Sequence, residues 1–194
     1  MQIRTAVLQD IDSIMNVERQ SFIPEIQESR EVFEDRIITF DDGFLVFEDE
    51  SKLKAKSPEG NAVLPGSKAA PSQIAGYFSS ERWAQIPASD ELFALGHSAR
   101  QTHKATGKVL YITSFAILPE FRGHKIGKEL FERSLSFILT ANKDVQILLL
   151  LVNEEWKSAV KIYHNYGFEQ VRKINGIFLH SAGIIMQKII KEKL

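Results

Sequence analysis

The stretch Phe115-Ala-Ile-Leu-Pro-Glu-Phe-Arg-Gly-His-Lys-Ile-Gly-Lys128 decides how the chain is read, because it carries an apolar strand through a proline-marked turn directly into a helix. A helix start leaves its first amide N–H groups without intrahelical acceptors and presents the positive end of the helix dipole, so it suits an anion. Gly123 and Gly127 let a diphosphate approach the backbone, and Arg122, Lys125 and Lys128 set three cationic side chains around the same turn. A plain strand-to-helix connector with solvated lysines would read the same way locally, and both readings stand at this point.

Around this stretch the chain alternates strand and helix, the order of an α/β sheet. Val109 to Leu118 reads as a strand with Tyr111, Thr113, Phe115 and Ile117 on one face. A helix follows from about Ile126 to Thr140, with Leu130, Phe131, Leu135 and Ile138 inward. Val145 to Val152 is almost wholly apolar, the mark of a strand covered on both faces. Trp156 to Tyr166 is helical, with Gly167 as a left-handed C-cap. Phe168 to Lys173 and Gly183 to Ile190 are expected to pair antiparallel through a turn at Asn175-Gly176.

Upstream, a strand over Gln2 to Ala6 precedes a helical pattern of Ile11, Ile14, Met15, Glu18 and Phe22, which Pro24 breaks. Ser29 caps a second helix with Val32, Phe33, Ile37 and Phe40 on one face. Asp41-Asp42-Gly43 is a turn, and Gly43 to Phe47 and Ile74 to Ser80 read as strands. Glu50 to Ser72, rich in Lys, Ser, Pro and Gly, reads as a long exposed loop. Ala84 to Lys108 is a second irregular stretch with a short helix near Ser89 to His97. The expectation is a single domain over residues 1–194, with loop insertions around 50–72 and 84–108.

Composition narrows the chemistry. The chain has 194 residues, 44% hydrophobic and 25% charged, and no cysteine, which excludes disulfides, thiolate-held metals and thiol nucleophiles. The five histidines (His97, His103, His124, His164 and His180) are scattered and form no ligand pair, so no metal is expected. Ile147 to Val152, the longest apolar run, has six residues, whereas a membrane span needs about 20. A cytoplasmic protein with no membrane partner is the expectation. The net charge of −1 and the lack of a basic, aromatic stripe disfavour nucleic acid. Residues 1–50 carry 13 acids against four arginines, a net of −9, while the rest carries +8. This divide suits either a solvated acidic helix face or an acidic half that meets a cationic ligand.

The spacing Arg122-Gly123-His124-Lys125-Ile126-Gly127, followed by Ala159, Tyr163 and Gly167-Phe168, resembles the GNAT superfamily of N-acetyltransferases. The family's pyrophosphate loop is matched at both ends and departs at Lys125. The closest likeness is to arylalkylamine N-acetyltransferases, on Glu18 to Ile23, on Gly96 to Ala99 and on the central strand running straight into Phe121-Arg122. That class places two histidines on the central strand where this chain has Tyr111 and Thr113.

The resemblance implies an α/β (α+β) GNAT fold, with a mixed, mostly antiparallel sheet of about seven strands, a splayed parallel pair and about four flanking helices. It implies acetyl-CoA as cosubstrate and acetyl transfer to a primary amine by direct attack on the thioester. Backbone groups of Phe115, Ala116 and Ile117 would bind the pantetheine arm, and one amide would polarise the thioester carbonyl. Arg122, Gly123, His124, Lys125, Ile126, Gly127 and Lys128 would hold the pyrophosphate, with Lys125 expected in a right-handed conformation that tolerates a side chain. Tyr163 would border the cosubstrate and protonate the leaving thiolate, and Glu25 or Tyr111 would take the amine's proton. Phe22 and Glu25 would meet a small-molecule amine, polyamine or lysine-like acceptor. The alternatives are an acetyltransferase acting on a protein amine, and an acyl-CoA-binding sensor or scaffold without turnover. A homodimer is an assembly the sequence leaves open.

Overall fold

A computed structural model describes residues 1–49 and 73–190. The loop expected over Glu50 to Ser72 lies outside the described residues. Strand β1 (Gln2–Thr5) leads to helix α1 (Ile11–Ser21), which buries Ile11, Ile14 and Val17 at helical spacing. Phe22 is extended and Pro24 starts a single 3₁₀ turn, so α1 ends where the proline requires it to. Helix α2 (Arg30–Thr39) begins where Ser29 Oγ accepts the Val32 amide. Strands β2 (Phe44–Asp49) and β3 (Gln73–Trp83) follow, then the one-turn helix α3 (Ala99–Thr102) and strand β4 (Val109–Ile117). The order then runs α4 (Ile126–Ala141), β5 (Ile147–Asn153), α5 (Lys157–Tyr166), β6 (Glu169–Phe178) and β7 (Ser181–Ile189). Gly167, at φ +98°, closes α5 as the expected left-handed cap.

The seven strands form one sheet in the order β1-β2-β3-β4-β5-β7-β6, antiparallel throughout except between β4 and β5. This is the mixed sheet with one parallel pair that the sequence leads one to expect. Its α4/α5 face buries Phe47, Phe78, Leu110, Ile112, Phe131, Leu148, Leu150 and Phe168. The α1/α2 face buries Ile14, Val17, Phe33, Phe44, Val46, Tyr77 and Ala116. Burying side chains of this kind stabilises the fold by roughly 1.5–3 kcal/mol each. At one end of the parallel pair the buried Arg82 guanidinium donates to Gly107 O (2.7 and 2.9 Å), Asn142 Oδ1 (2.9 Å) and Asp144 Oδ2 (2.7 Å). It thereby ties β3 to the segments entering β4 and β5, so the pair is clamped at that end.

Three local readings are corrected. Tyr111 does not share a face with Phe115 and Ile117, because β4 carries an extra residue against β3 between Ile112 and Ser114. That bulge reverses the alternation, so Ile112 joins Phe115 while Tyr111 faces Trp83 on the opposite side. The β6–β7 turn falls at Leu179-His180, and Asn175-Gly176 is an irregularity inside β6. Within Ala84 to Lys108 the expected helix is a 3₁₀ turn over Asp90–Phe93, and α3 adds a turn of helix. No described helix is long and apolar enough to cross a membrane.

Candidate active site

The parallel pair is short. β4 and β5 pair only from Val109↔Ile147 to Ile112↔Leu150; beyond that point β5 continues against β7, and β4 continues to Ile117 without β5 beside it. The bulge at Thr113 bends β4 where the two strands part. The Leu118 amide donates to Ala75 O (2.8 Å), which fixes the phase of the strand. By alternation, Ser114 and Ala116 direct their backbone groups to β3, while Phe115 and Ile117 direct theirs into the opening. Ile117 O already accepts Arg122 Nε (2.7 Å), leaving the Phe115 amide and carbonyl and the Ile117 amide aimed at the gap.

At the end of β4 a 3₁₀ turn over Pro119–Phe121 delivers the chain to the start of α4. Gly123 (φ +98°), His124 (φ +46°) and Lys125 (φ +65°) are three consecutive left-handed residues. Lys125 is therefore not right-handed as expected; its side chain sits where glycine is favoured, at a cost on the order of 1–2 kcal/mol. In return the loop leaves most of its amides free of main-chain acceptors. Ile126 N–H is spent on Gly123 O (2.9 Å), whereas the amides of Gly123, His124, Lys125, Gly127 and Lys128 meet no backbone acceptor among the described residues. Lys125→Gly is expected to raise Tm by roughly 2–4 °C, about 1 kcal/mol, by removing the left-handed penalty. Lys125→Ala, which keeps a Cβ, is expected to leave the Tm unchanged; calorimetry on the two variants checks this.

Around these main-chain donors the cations are unevenly placed. Arg122 turns back toward β4, with Nη2 donating to Ser21 Oγ (3.2 Å), and Lys128 pairs with Glu132 (3.2 Å). His124 and Lys125 are exposed at the loop surface. A Cβ on Gly127 would approach Ile162 Cδ1 at 3.4 Å, so the helix start lies close against α5.

Tyr163 projects from α5 into the cluster beneath this corner, with ring centroids 5.0 Å from Phe131 and 6.1 Å from Phe168. Burial pushes its phenol above the ordinary range, which keeps it protonated at neutral pH. Tyr111 is sealed among Trp83, Phe93 and His97, and burial raises it too, the wrong direction for a proton acceptor. Glu25 stands exposed on the turn after α1. The structure thus sets Phe115, Ile117 and residues 122–128 in line along one opening, packs Tyr163 in the apolar cluster that Phe115 and Ile117 share, and seals Tyr111 on the other side of the sheet. Phe22 stands at the mouth: its ring lies 5.6 Å from Trp156, which lies 5.6 Å from Phe178. These rings join the ends of α1, β5 and β6 across the parted strands.

A polar cluster on the α1/α2 face escaped the sequence reading. Glu18 (1% exposed) accepts the Tyr77 hydroxyl at Oε2 and the Glu28 amide at Oε1 (2.8 Å). Tyr77 Oη is 2.8 Å from Ser114 Oγ, and Glu28 accepts Arg36 Nη2 (2.7 Å) and the Gly96 amide (3.0 Å). Nearby, buried Glu81 holds His97 Nε2 (2.5 Å) and the Thr102 hydroxyl (2.6 Å). One signal was available. Glu18 occupies the apolar stripe of α1, where a carboxylate must find buried partners.

Residues 52–190 match the model of the family described as acetyltransferase (GNAT) domain. No curated protein matches the sequence. Solved structures share the architecture. The loading GNATL domain of CurA from Lyngbya majuscula is 14% identical with a TM-score of 0.71, covering 97% of this chain and 96% of its own. The GphF GNAT-like decarboxylase in complex with isobutyryl-CoA is 17% identical with a TM-score of 0.70, covering 97% and 99%. Arabidopsis thaliana NAA60 in complex with a bisubstrate analogue is 16% identical with a TM-score of 0.65, covering 97% of each chain. At such identity the likeness speaks for the fold.

Proposed function

We propose, from the premise that the chain belongs to the GNAT acetyltransferase family, that it transfers an acetyl group from acetyl-CoA to a primary amine. The observation that carries this reading is the parting of β4 and β5 beside a loop in which five amides meet no backbone acceptor among the described residues. The chemistry of the donors fits the cosubstrate: main-chain N–H groups at a helix start suit a pyrophosphate, and an unpaired strand edge suits an extended chain of amides.

In this reading residues 122–128 hold the pyrophosphate and the Phe115 and Ile117 backbone holds the pantetheine arm. Ala116, whose backbone groups turn to β3, supports the strand from behind. Acetyl-CoA supplies an acetyl group activated as a thioester. An amide on the opening polarises the carbonyl, and Tyr163 gives its proton to the departing sulfur. The acceptor enters from the Phe22 side, where Glu25 and the acidic N-terminal half favour a cation. Neighbouring Trp156 and Phe178 would suit the aryl group of an arylalkylamine.

The test is thiol release from acetyl-CoA with phenethylamine, spermidine and a lysine-bearing peptide, with products identified by mass spectrometry. An acetylated amine formed at a rate proportional to enzyme is expected. CoA binding without acetylated product from any acceptor would favour a sensor or scaffold instead.

A further inference from the structure

The reading above leaves the acceptor's proton without a destination. A primary alkylamine has a reference pKa near 10.4, so it arrives protonated and must lose a proton before it can attack. We propose that Ser114, Tyr77 and Glu18 form a hydrogen-bonded relay that carries this proton from the opening between β4 and β5 to the Glu18 carboxylate, a role that rests on the acetyltransferase reading.

The geometry supports each link. Ser114 is half-buried on β4, one residue past the bulge at which the strands part. Its Oγ is 2.8 Å from Tyr77 Oη, and Tyr77, fully buried on β3, donates to Glu18 Oε2. With Tyr77 donating to Glu18, Ser114 donates to Tyr77, which leaves a Ser114 lone pair for the ammonium. The relay lies on the α1/α2 face and Tyr163 on the α4/α5 face, so the amine is deprotonated on one side of the sheet and the sulfur protonated from the other.

The proton count closes. The ammonium N–H bond breaks as Ser114 Oγ takes the proton, Ser114 passes its own to Tyr77, and Tyr77 passes its own to Glu18. The net change is a neutral amine and a neutral carboxyl, with Ser114 and Tyr77 as they began. Glu18 faces Tyr77 from β3, Glu28 from the segment between α1 and α2, and Arg36 from α2. Burial pushes the Glu18 carboxyl above its ordinary value, against the Tyr77 hydroxyl, the Glu28 amide and the Arg36 charge. That direction makes Glu18 a better proton acceptor than a solvated carboxylate.

The experiment is the pH profile of kcat/KM for Glu18→Gln, Ser114→Ala and the wild type, with whichever acceptor of the panel turns over. Glu18→Gln keeps the size and can still accept the Glu28 amide while its NH2 donates to Tyr77, and Ser114→Ala sits at a half-buried position, so one variant remains informative if the other fails to fold. At pH 7 each variant is expected to fall about 100-fold, the usual size of a proton-transfer contribution. Between pH 7 and 9 log kcat/KM should climb with unit slope in the variants, which depend on amine already neutral, while the wild type stays flat. A variant profile parallel to the wild type, whether lowered or not, would overturn the relay and make Glu18 structural. Absence of acetylated product from the wild type would remove the acetyltransferase reading and the relay with it.

Discussion

Replacing Tyr163 with phenylalanine is expected to lower kcat roughly 100-fold or more while leaving KM for acetyl-CoA little changed. The substitution removes one oxygen and keeps the ring that packs on Phe131 and Phe168, so the fold should be unaffected. What is lost is the proton for the leaving sulfur. Because burial holds the phenol above its ordinary value, the wild type should show no alkaline loss of activity near the reference Tyr pKa of about 10. Steady-state kinetics on the two proteins with one acceptor decides the matter. Unaltered turnover in Tyr163→Phe would take the residue out of the chemistry.

The second large effect concerns stability. Arg36 is 1% exposed on α2, and its Nη2 holds Glu28 Oε1 at 2.7 Å while Nε and Nη1 meet no hydrogen-bond partner among the described residues. Such a pair contributes little net stability, since both charges lost their water to form it, yet breaking it strands the remaining charge. Arg36→Met leaves Glu28 buried beside Glu18 with no cation against it. The expected loss is about 3–5 kcal/mol, or roughly 10 °C in Tm for a chain of this length. Adding Glu28→Gln removes the stranded charge, so the double variant should recover part of the loss. Urea unfolding of the single and double variants measures this. A double variant as unstable as the sum of the singles would show that the two side chains act independently.

The parts of the fold legible in the sequence were those written in neighbouring residues. The Pro119 turn, the glycines of 122–128 and the Gly167 cap each follow from local backbone preferences, and the unbroken apolar run of β5 announced a strand covered on both faces. The bulge at Thr113 was not legible, because it exists only in the pairing of β4 with β3. That one residue decides which side chains face the opening, so it also hid the seclusion of Tyr111. The left-handed Lys125 was missed because a lysine carries no sign that its loop will force it there. The Glu18–Tyr77–Ser114 chain joins residues 59 and 37 positions apart, beyond the reach of any local pattern. Only the misplaced charge on α1 hinted at it.

The most direct test of the proposed donor site is a titration with coenzyme A followed through backbone amide resonances. The expected result is that the largest shifts fall on Gly123 to Lys128 and on Phe115 and Ile117, the amides that lie on the loop and along the opening. Shifts at saturation confined to other surfaces, or none at all, would contradict the assignment.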